Sequence, residues 1–338
     1  MKNTQQIIST PPQGPDGELA EETGVEAELR ALSFSFAHHG MRLDLALTEL
    51  VPEFSRTYLQ QLIALGSVLI NGTVVTKASS KVKAGAVGQI ELRPTPQSQA
   101  FKAENLPLDI VFEDEHLLVI NKPAGLVVHP APGNWSGTLM NRLLGYDLQA
   151  FNLPRAGIVH RLDKDTSGLM VVARTRQVMD ALVQAIAART VKRQYLALAH
   201  GAWHGSLLRH VDAPVGRDPG NRLRMAVVDL GVHAGKLAQT DFECLASSTT
   251  GCLLKCTLHT GRTHQIRVHL ASIGHALVAD AVYGGALGAG MQRQALHATR
   301  LAFVHPITGQ SLVFHAQLPD DLAGALKSWG LNYNVASL

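Results

Sequence analysis

The sequence has little of what marks several common classes of protein. No run of residues is long and apolar enough to span a bilayer, and the first residues lack the charged and apolar regions of a signal or transit peptide. The three cysteines, Cys244, Cys252 and Cys256, form no CxxC pair. We therefore expect a reduced, cytoplasmic protein that has no membrane partner.

Motifs for nucleotides and metals are also missing. The chain contains no phosphate-binding GxxxxGK(S/T) or GxGxxG pattern and no HExxH pair. Four histidines lie near one another, but spacings of five and six residues do not place them on one face of a helix: His259, His264, His269 and His275. We expect neither a metal ion nor a cofactor.

Aromatic residues form only 5% of the chain, whereas hydrophobic residues form 46% of its 338 residues. That content can bury a substantial core, and the length suggests two domains. The formal net charge is +3, but the first 35 residues carry six acidic residues against Lys2 and Arg30, which leaves +7 on the remaining 303. A basic body suits a polyanionic partner.

The composition divides the chain into four segments. Residues 1–35 are rich in Pro, Gly and Glu and predict a disordered acidic tail. Residues 36–94 predict a small folded unit, and residues 95–107 concentrate proline and polar residues, which is typical of a linker. Residues 108–338 form the main body.

The small unit is predicted to contain two helices and a hairpin. Apolar residues recur with the spacing of one helical face at Leu43, Ala46, Leu47 and Leu50. A second helix is expected over about residues 55–65, with Ser55 as its N-cap and Gly66 as its stop. The hairpin turn is predicted at Asn71 and Gly72, which tolerate positive φ angles.

The main body mixes strand-like and helical runs. Strand-like runs occur in IVFEDEHLLVINKP, GIVH, LMVVAR, RQYLALAHG, CLLKCTLHT, ALHATRLAFVHP and SLVFHAQL. Helical periods occur in TRQVMDALVQAIAAR, THQIRVHLASIG and DDLAGALKSWG. The pattern predicts an α+β fold, and the lack of strict βαβ alternation argues against a doubly wound nucleotide-binding fold.

A carboxylate in GIVHRLDKDTSGLMVVAR, residues 157–174, is the first candidate for chemistry. Asp163 lies between Arg161 and Lys164, is followed by Asp165, and has apolar runs on both sides that suggest a fixed position at a sheet rim. In an extended segment the two carboxylates would share a face and repel, so one must be paired or turned away. A carboxylate held by a cation can act as a covalent nucleophile or a general base without a cofactor.

Partners for this carboxylate are available elsewhere in the chain. HTGRTHQIRVHLASIGHALVADAVYGG contains Arg262 and Arg267, and on a helix beginning near Thr263 the second arginine would lie one turn in, where its guanidinium can bind a carboxylate. Tyr195, in a strand-like run, could stack on a planar substrate or act as an acid or base. Each residue also has an ordinary interpretation, because an Asp in a turn is more often a turn or capping residue, and Tyr195 and Arg267 alone more often pack or face solvent.

The motif HRLDKDTSG, residues 160–168, resembles the signature loop of the RluA family of pseudouridine synthases. Three further stretches resemble other motifs of that family in the same order: residues 111–144, GRTHQIRVHLASIGHALVADAVYG and LHATRLAFVHPITG. The likeness covers about residues 108–322. The unit at 36–94 resembles the small αL-type RNA-binding module of ribosomal proteins. Together they look most like the RluD type, which modifies large-subunit ribosomal RNA.

The resemblance implies an α+β catalytic domain with a mixed, largely antiparallel sheet, and an isomerase that converts uridine in RNA to pseudouridine without a cofactor. It makes Asp163 the nucleophile, attacking either ribose C1′ or the base, with Asp165 in a supporting role. Tyr195 would stack on the flipped uracil and is a candidate acceptor of the C5 proton, and Arg267 would pair with Asp163, although Arg262 is close enough to be confused with it. The residues expected to position RNA are His160, Arg161, Thr166 and Arg262.

Two other functions stay open at this point. The chain could be an RNA-binding assembly factor that keeps the fold without its chemistry, or a hydrolase of glycosidic bonds with Asp165 as the second carboxyl group. The expected partner is RNA, either large-subunit ribosomal RNA or its precursor subunit, and the expected state is a monomer.

Overall fold

The computed structural model describes residues 28–52, 54–92, 101–131, 134–221 and 223–332. The chain divides into two compact units, Met1–Thr95 and Pro96–Leu338, and each is described here by itself. Within the described residues no helix has both the length and the apolar character needed to cross a bilayer.

Unit 1 contains two helices beside an antiparallel sheet. Its described elements are β1 (Glu28–Ser33), α1 (Leu43–Leu50), α2 (Arg56–Ala64), β2 (Val68–Ile70), β3 (Thr73–Val74) and β4 (Val87–Leu92). The strands are ordered β1-β4-β2-β3. Apolar faces of both helices pack on this sheet in one core that includes Leu43, Leu59 and Ile90.

Local sequence explains the elements of unit 1. The Ser55 hydroxyl caps α2 by accepting a hydrogen bond from the Tyr58 amide at 3.3 Å, and Gly66 follows the helix in the left-handed region with φ +74°. The turn between β2 and β3 has φ +50° at Asn71 and +77° at Gly72, as a tight hairpin turn requires. The predicted helices and hairpin are therefore present.

The expectation of a disordered tail over residues 1–35 is wrong at its end. Residues 28–33 form β1, which pairs with β4 so that Leu32 lies opposite Gly88. Leu32 and Phe34 are buried in the core of unit 1. A six-residue edge strand has too short an alternation to stand out beside a polar tail, so the sequence signal was missed. Residues 1–27 lie outside the described residues.

Unit 2 is built on a large sheet with helices packed on both of its faces. Its described helices are α3 (Leu139–Tyr146), α4 (Arg176–Ala187), α5 (Gln265–Ser272) and α6 (Asp320–Ser328). Its described strands are β5 (Ile110–Glu113), β6 (Leu117–Lys122), β7 (Ser167–Ala173), β8 (Lys192–His200), β9 (Leu208–Asp212), β10 (Val215–Arg217), β11 (Met225–Val227), β12 (Gly235–Lys236), β13 (Gln239–Ser247), β14 (Gly251–Leu258), β15 (Leu296–Val304) and β16 (Ser311–His315).

The large sheet has nine strands in the order β5-β6-β7-β15-β8-β14-β13-β9, with β16 paired to β15. Among the described pairings of this sheet, β7 with β15 is parallel and the others are antiparallel. Strands β10, β11 and β12 form a separate three-stranded sheet. The mixed, largely antiparallel α+β architecture predicted from the sequence is confirmed.

Strand β7 carries the end of the 157–174 motif into the centre of the large sheet. All seven of its residues are buried, which suits the apolar run SGLMVVA. At Gly168, which has φ +114°, a Cβ atom would lie 2.2 Å from the carbonyl oxygen of Ala298 on β15. Glycine is therefore required where the parallel strands meet, directly after the loop that contains Asp163.

Two further expectations need correction. GIVH is not a strand, because Ile158 forms only an isolated bridge to Val172 and the residues before it form a 3-10 turn. The described part of the expected linker, residues 101–107, belongs to unit 2. The side-chain carboxylate of Glu104 accepts the Gly137 amide at 3.0 Å and the Lys102 carbonyl accepts the Asn141 side chain at 2.8 Å, so α3 orders this segment.

Candidate active site

The loop that contains Asp163 is a turn and not an extended segment. The Thr166 amide donates to the Asp163 carbonyl at 3.1 Å, which closes the turn over Asp163, Lys164, Asp165 and Thr166. Because the chain turns here, the two aspartates do not share a face. Asp163 lines the main cavity of unit 2 and Asp165 does not.

Two cationic side chains, those of Lys122 and Arg293, bind main-chain carbonyl groups of this loop. Lys122, at the end of β6 and 1% exposed, donates to the carbonyls of Lys164, Leu126 and Pro123 at 2.9, 3.0 and 2.9 Å. Arg293 donates to the Asp165 carbonyl at 2.9 Å. Burial lowers the pKa of Lys122 to about 7, although the nearby aspartates oppose this shift.

Arg267 on α5 holds the Asp163 side chain. Its Nη1 atom donates to Asp163 Oδ2 at 3.0 Å, and the two residues are 104 positions apart in the chain. The other side of the same guanidinium is bound by Asp280, through Nε to Oδ2 at 2.7 Å and Nη2 to Oδ1 at 2.8 Å. Burial alone would lower the pKa of Arg267, but hydrogen bonds and charge attraction from Asp280 and Asp163 outweigh it and raise that pKa.

His264 and Tyr283 complete the surroundings of the ion pair. His264 precedes α5 in the left-handed region with φ +56°, and its Nε2 atom lies 3.7 Å from Asp163 Oδ1. Its Nδ1 atom is hydrogen-bonded to the Tyr283 hydroxyl at 2.8 Å, while the Tyr283 ring lies 5.0 Å from the Arg267 guanidinium. Burial lowers the pKa of His264, so the imidazole is neutral at pH 7. Backbone strain at such a residue is typical of a functional site.

Tyr195 on β8 lies in the same cavity as Asp163. The cavity has a volume of about 730 Å³, enough for a nucleotide, and Tyr195 is 5% exposed in it. Burial raises the pKa of Tyr195, so its hydroxyl stays protonated at neutral pH. The aromatic ring and the carboxylate therefore share one partly enclosed space.

The other predicted residues also line this cavity, but they differ in their contacts. Arg161 is exposed, whereas Thr166 is buried and its hydroxyl accepts from Gln294 at 3.4 Å. Arg262 donates through Nε to the Leu237 carbonyl at 3.1 Å, so Arg267 and not Arg262 is the arginine that binds Asp163. His160 is half-buried, and its Nε2 atom accepts the Val171 amide of β7 at 3.1 Å.

The charge of the cavity is strongly positive. Asp163 is the one carboxylate among its described lining residues. Six of the lining residues are arginines: Arg155, Arg161, Arg189, Arg193, Arg262 and Arg267. Such a surface attracts a polyanion and directs it to an ion-paired carboxylate beside an aromatic ring. This arrangement can position a covalent nucleophile against a planar group attached to a phosphate chain.

Comparisons with known proteins agree with this geometry. A sequence model of the RNA pseudouridylate synthase family matches residues 116–272, and one of the S4 domain matches residues 41–87. A protein of Nitrosomonas europaea named ribosomal large subunit pseudouridine synthase D is 48% identical over 297 residues, which cover 86% of this chain and 84% of that protein. The chain belongs to the RNA pseudouridine synthase family.

Other relatives and a solved structure give the same assignment. A Neisseria meningitidis serogroup B protein, also named ribosomal large subunit pseudouridine synthase D, is 46% identical over 84% of this chain and 77% of its own length. The structure of human RNA pseudouridylate synthase domain containing 1 matches with a TM-score of 0.51 and 25% identity, covering 64% of this chain and 86% of that one. The predicted pseudouridine synthase fold and the ribosomal-protein-like N-terminal module are confirmed, and the protein is an RNA-modifying isomerase of this family.

The four histidines considered for a metal do not meet in this pseudouridine synthase. Instead, the described residues contain one group with suitable atoms within 4.8 Å of one another, formed by His210, Asp241 and His259. Asp241 is hydrogen-bonded to both imidazoles, at 2.5 Å to His210 Nδ1 and 2.7 Å to His259 Nε2.

Sequence reasoning missed several residues of the synthase site. Asp280, 2% exposed, orients Arg267, and Lys122 and Arg293 fix the Asp163 loop. An acidic residue in the apolar run HALVAD was the available signal for Asp280, because a charge there must find a buried partner. Lys122 ends the apolar strand LLVINK and offered the same signal.

Proposed function

We propose that the protein isomerises specific uridines of large-subunit ribosomal RNA to pseudouridine, with Asp163 as the nucleophile and no cofactor. The names of the relatives support the ribosomal substrate, since ribosomal large subunit pseudouridine synthase D proteins align over 84 to 86% of the chain. The S4 match at residues 41–87 supports a separate RNA-binding domain in unit 1.

The single observation that carries the proposal is the position of Asp163. Its side chain is 17% exposed in the cavity, and one oxygen is bound by Arg267 at 3.0 Å. One side of the carboxylate is therefore fixed while the group still reaches the cavity. Arg267 supplies the positive charge that an anionic nucleophile needs beside it in a site with little water.

The reaction requires the uridine to leave its stack and enter the cavity. The Asp163 carboxylate forms a covalent bond to the uridine, the bond between N1 and ribose C1′ breaks, and the uracil turns so that C5 joins C1′. C5 then loses its proton, N1 gains one, and Asp163 is released. No electrons are exchanged with a second molecule, so the balance needs no redox group.

Tyr195 has the position for the aromatic role in this scheme. Its ring, on β8 beside Asp163, provides a surface on which the flipped uracil stacks. Its hydroxyl, protonated at neutral pH, lies in the same cavity as the reacting base. Arg161, Thr166 and Arg262 line the cavity and bind the RNA around the target.

We also propose that the enzyme acts as a cytoplasmic monomer. The contacts that form the site, among Asp163, Arg267 and Asp280, come from a single chain. All three cysteines are free and buried, as suits a reducing compartment.

The test maps pseudouridines in ribosomal RNA by carbodiimide-dependent stops of reverse transcription. Cells that lack the gene are complemented with the wild type, with Asp163→Asn or with Asp165→Asn. We expect stops at specific large-subunit uridines to vanish without the gene, to return with the wild type and Asp165→Asn, and to stay absent with Asp163→Asn.

The same experiment separates the alternatives. An assembly factor without chemistry would give full growth rescue by Asp163→Asn, and a pattern of stops that never depends on the gene would contradict the proposal. A glycosidic hydrolase would release free uracil from the RNA, which is measured by chromatography, and would require Asp165 as its proton donor.

A further inference from the structure

Arg193 on β8 is a buried arginine whose side chain has no partner among the described residues. The residue is 7% exposed, and no hydrogen bond or ion pair joins its guanidinium to another side chain or carbonyl in the described part of the chain. Its Nε atom is enclosed without an acceptor. It lines the same cavity as Asp163, two residues before Tyr195.

An uncompensated buried charge is costly for a folded protein. Taking a guanidinium out of water carries a large cost in free energy unless an anion or several acceptors replace the water. The other buried cations described around the site have partners, since Arg267 is paired with Asp280 and Lys122 donates to three carbonyl oxygens. The described residues therefore supply no anion for Arg193.

A second donor without an acceptor lies in the same cavity. The Nε2 atom of His160 accepts the Val171 amide, which places the ring proton on Nδ1, and the buried Nδ1 atom has no partner. Burial, followed by the charge of Arg193, lowers the pKa of His160 to about 3, so the ring stays neutral. Two unmatched donors in one cavity indicate a missing oxygen-rich ligand.

The space for the Arg193 guanidinium is provided by a glycine. A Cβ atom on Gly261 would lie 2.8 Å from Arg193 Nη1, and Gly261 is not among the residues with positive φ, so a Cβ there would displace the end of the Arg193 side chain without straining the backbone. The loop that contains Gly261 is fixed by Gln265, whose Oε1 atom accepts hydrogen bonds from the Arg262 amide at 3.0 Å and the Thr260 hydroxyl at 2.7 Å. The guanidinium thus lies in a formed recess.

The charge of the missing ligand decides its identity. Uracil is neutral, and its carbonyl groups would leave the Arg193 charge uncompensated. A phosphodiester is an anion with free oxygens, and the RNA that enters the cavity carries one on each side of every nucleotide. Residues i and i+2 of a strand point to one face about 7 Å apart, so Arg193 and Tyr195 face the cavity together.

We propose that Arg193, in the recess left by Gly261, binds a phosphodiester next to the uridine that stacks on Tyr195. This inference rests on the proposed function, because it takes the RNA strand to enter at Asp163. The phosphate contact holds the strand in register, so that the target base and not a neighbour reaches the carboxylate.

The test compares Arg193→Gln, Arg193→Lys and Gly261→Ala with Arg176→Gln as a control. Arg176 is paired with Asp180 on the exposed surface of α4 and does not line the cavity. Its substitution by glutamine removes the same charge as Arg193→Gln. Dissociation constants are measured by fluorescence anisotropy for the full chain with a large-subunit ribosomal RNA transcript over a range of salt. Unfolding in urea is followed in parallel.

We expect Arg193→Gln to weaken RNA binding by about 10- to 100-fold and to reduce the salt slope by about 0.7 to 0.9. Arg193→Lys should recover part of the affinity, and Gly261→Ala should weaken binding although no charge is lost. Arg176→Gln should bind as the wild type does. The urea midpoint of Arg193→Gln should equal or exceed that of the wild type, because an unpaired buried charge has been removed.

Wild-type affinity and salt slope in Arg193→Gln would overturn the inference, as would a loss of affinity explained by a lower urea midpoint. Binding is measured whether or not the transcript is converted. A wild type that makes no pseudouridine therefore counts against the function of Asp163, and unchanged binding by Arg193→Gln counts against the phosphate contact.

Discussion

Replacing Asp280 by asparagine should damage catalysis from a residue that does not line the cavity. Asp280 makes two charged hydrogen bonds to Arg267, at 2.7 and 2.8 Å, and is 2% exposed. Asn keeps the shape and one acceptor oxygen but loses the charge, and its amide nitrogen would face one of the guanidinium donors. Arg267 would then turn toward Asp163, its remaining partner.

The size of the effect follows from burial. Removing one partner of a buried ion pair costs about 3 to 5 kcal/mol, and the retained acceptor and the second carboxylate bring the expected loss of unfolding free energy to about 3 kcal/mol. A shift of about 1 Å in a reacting group can cost about 100-fold in rate, so we expect a fall of that order in kcat. KM for RNA should change little, because Asp280 does not touch the cavity.

The assay is single-turnover tritium release from RNA labelled at uridine C5, with urea unfolding of the same samples. Asp180→Asn is the matched control, because Asp180 also accepts two bonds from an arginine, Arg176, but is 53% exposed. An exposed helical pair of this kind is worth about 0.5 kcal/mol or less. Equal kcat and equal stability for Asp280→Asn and the wild type would refute the reasoning.

Three further predictions concern other described residues. His297 is 1% exposed, and burial lowers its pKa to about 4, so between pH 6.5 and 4 the unfolded chain binds a proton that the folded chain does not. The free energy of unfolding should therefore fall by up to about 3 kcal/mol as the pH drops from 6.5 to 4. Urea titrations of His297→Gln should show a flatter pH profile. In unit 1, hydrogen bonds from Arg42, Gln60 and Arg56 lower the pKa of the fully buried Asp44, although burial alone would raise it. Asp44→Ala should therefore destabilise this unit by about 2 kcal/mol. Hydrogen exchange should become faster over residues 28–92 and stay unchanged in β7. Tyr195→Phe keeps the stacking ring and loses the hydroxyl, so RNA affinity should hold while tritium release slows by about 100-fold or more; a rate like that of the wild type would exclude the hydroxyl from proton transfer.

Local patterns in the sequence predicted most of the elements near the site. Strand β8, with Tyr195, and helix α5, with Arg267, were expected from runs of apolar residues, and the structure has them at Lys192–His200 and Gln265–Ser272. These runs are informative because a buried strand or an amphipathic helix imposes its period on neighbouring residues. The α5 start was expected near Thr263 and lies two residues later, after the left-handed His264.

Contacts over long sequence separations could not be predicted in this way. The bond from Arg293 to the Asp165 carbonyl joins positions 128 apart, and no local period reports it. Strands β9 to β13 were also not assigned; β10, β11 and β12 have only two or three residues each, too few to show an alternation. Asp163 could be proposed because its motif is local, whereas Asp280 depends on the packed fold.

The contacts of Lys122 and Arg293 with the loop that contains Asp163 make side-chain choice and loop shape independent of each other. Lys122 and Arg293 bind carbonyl oxygens of Lys164 and Asp165, and every amino acid has such an oxygen. The side chains at these two positions can therefore be exchanged while the backbone that presents Asp163 keeps its course. A library randomised at 164 and 165 should therefore still place Asp163 in the cavity.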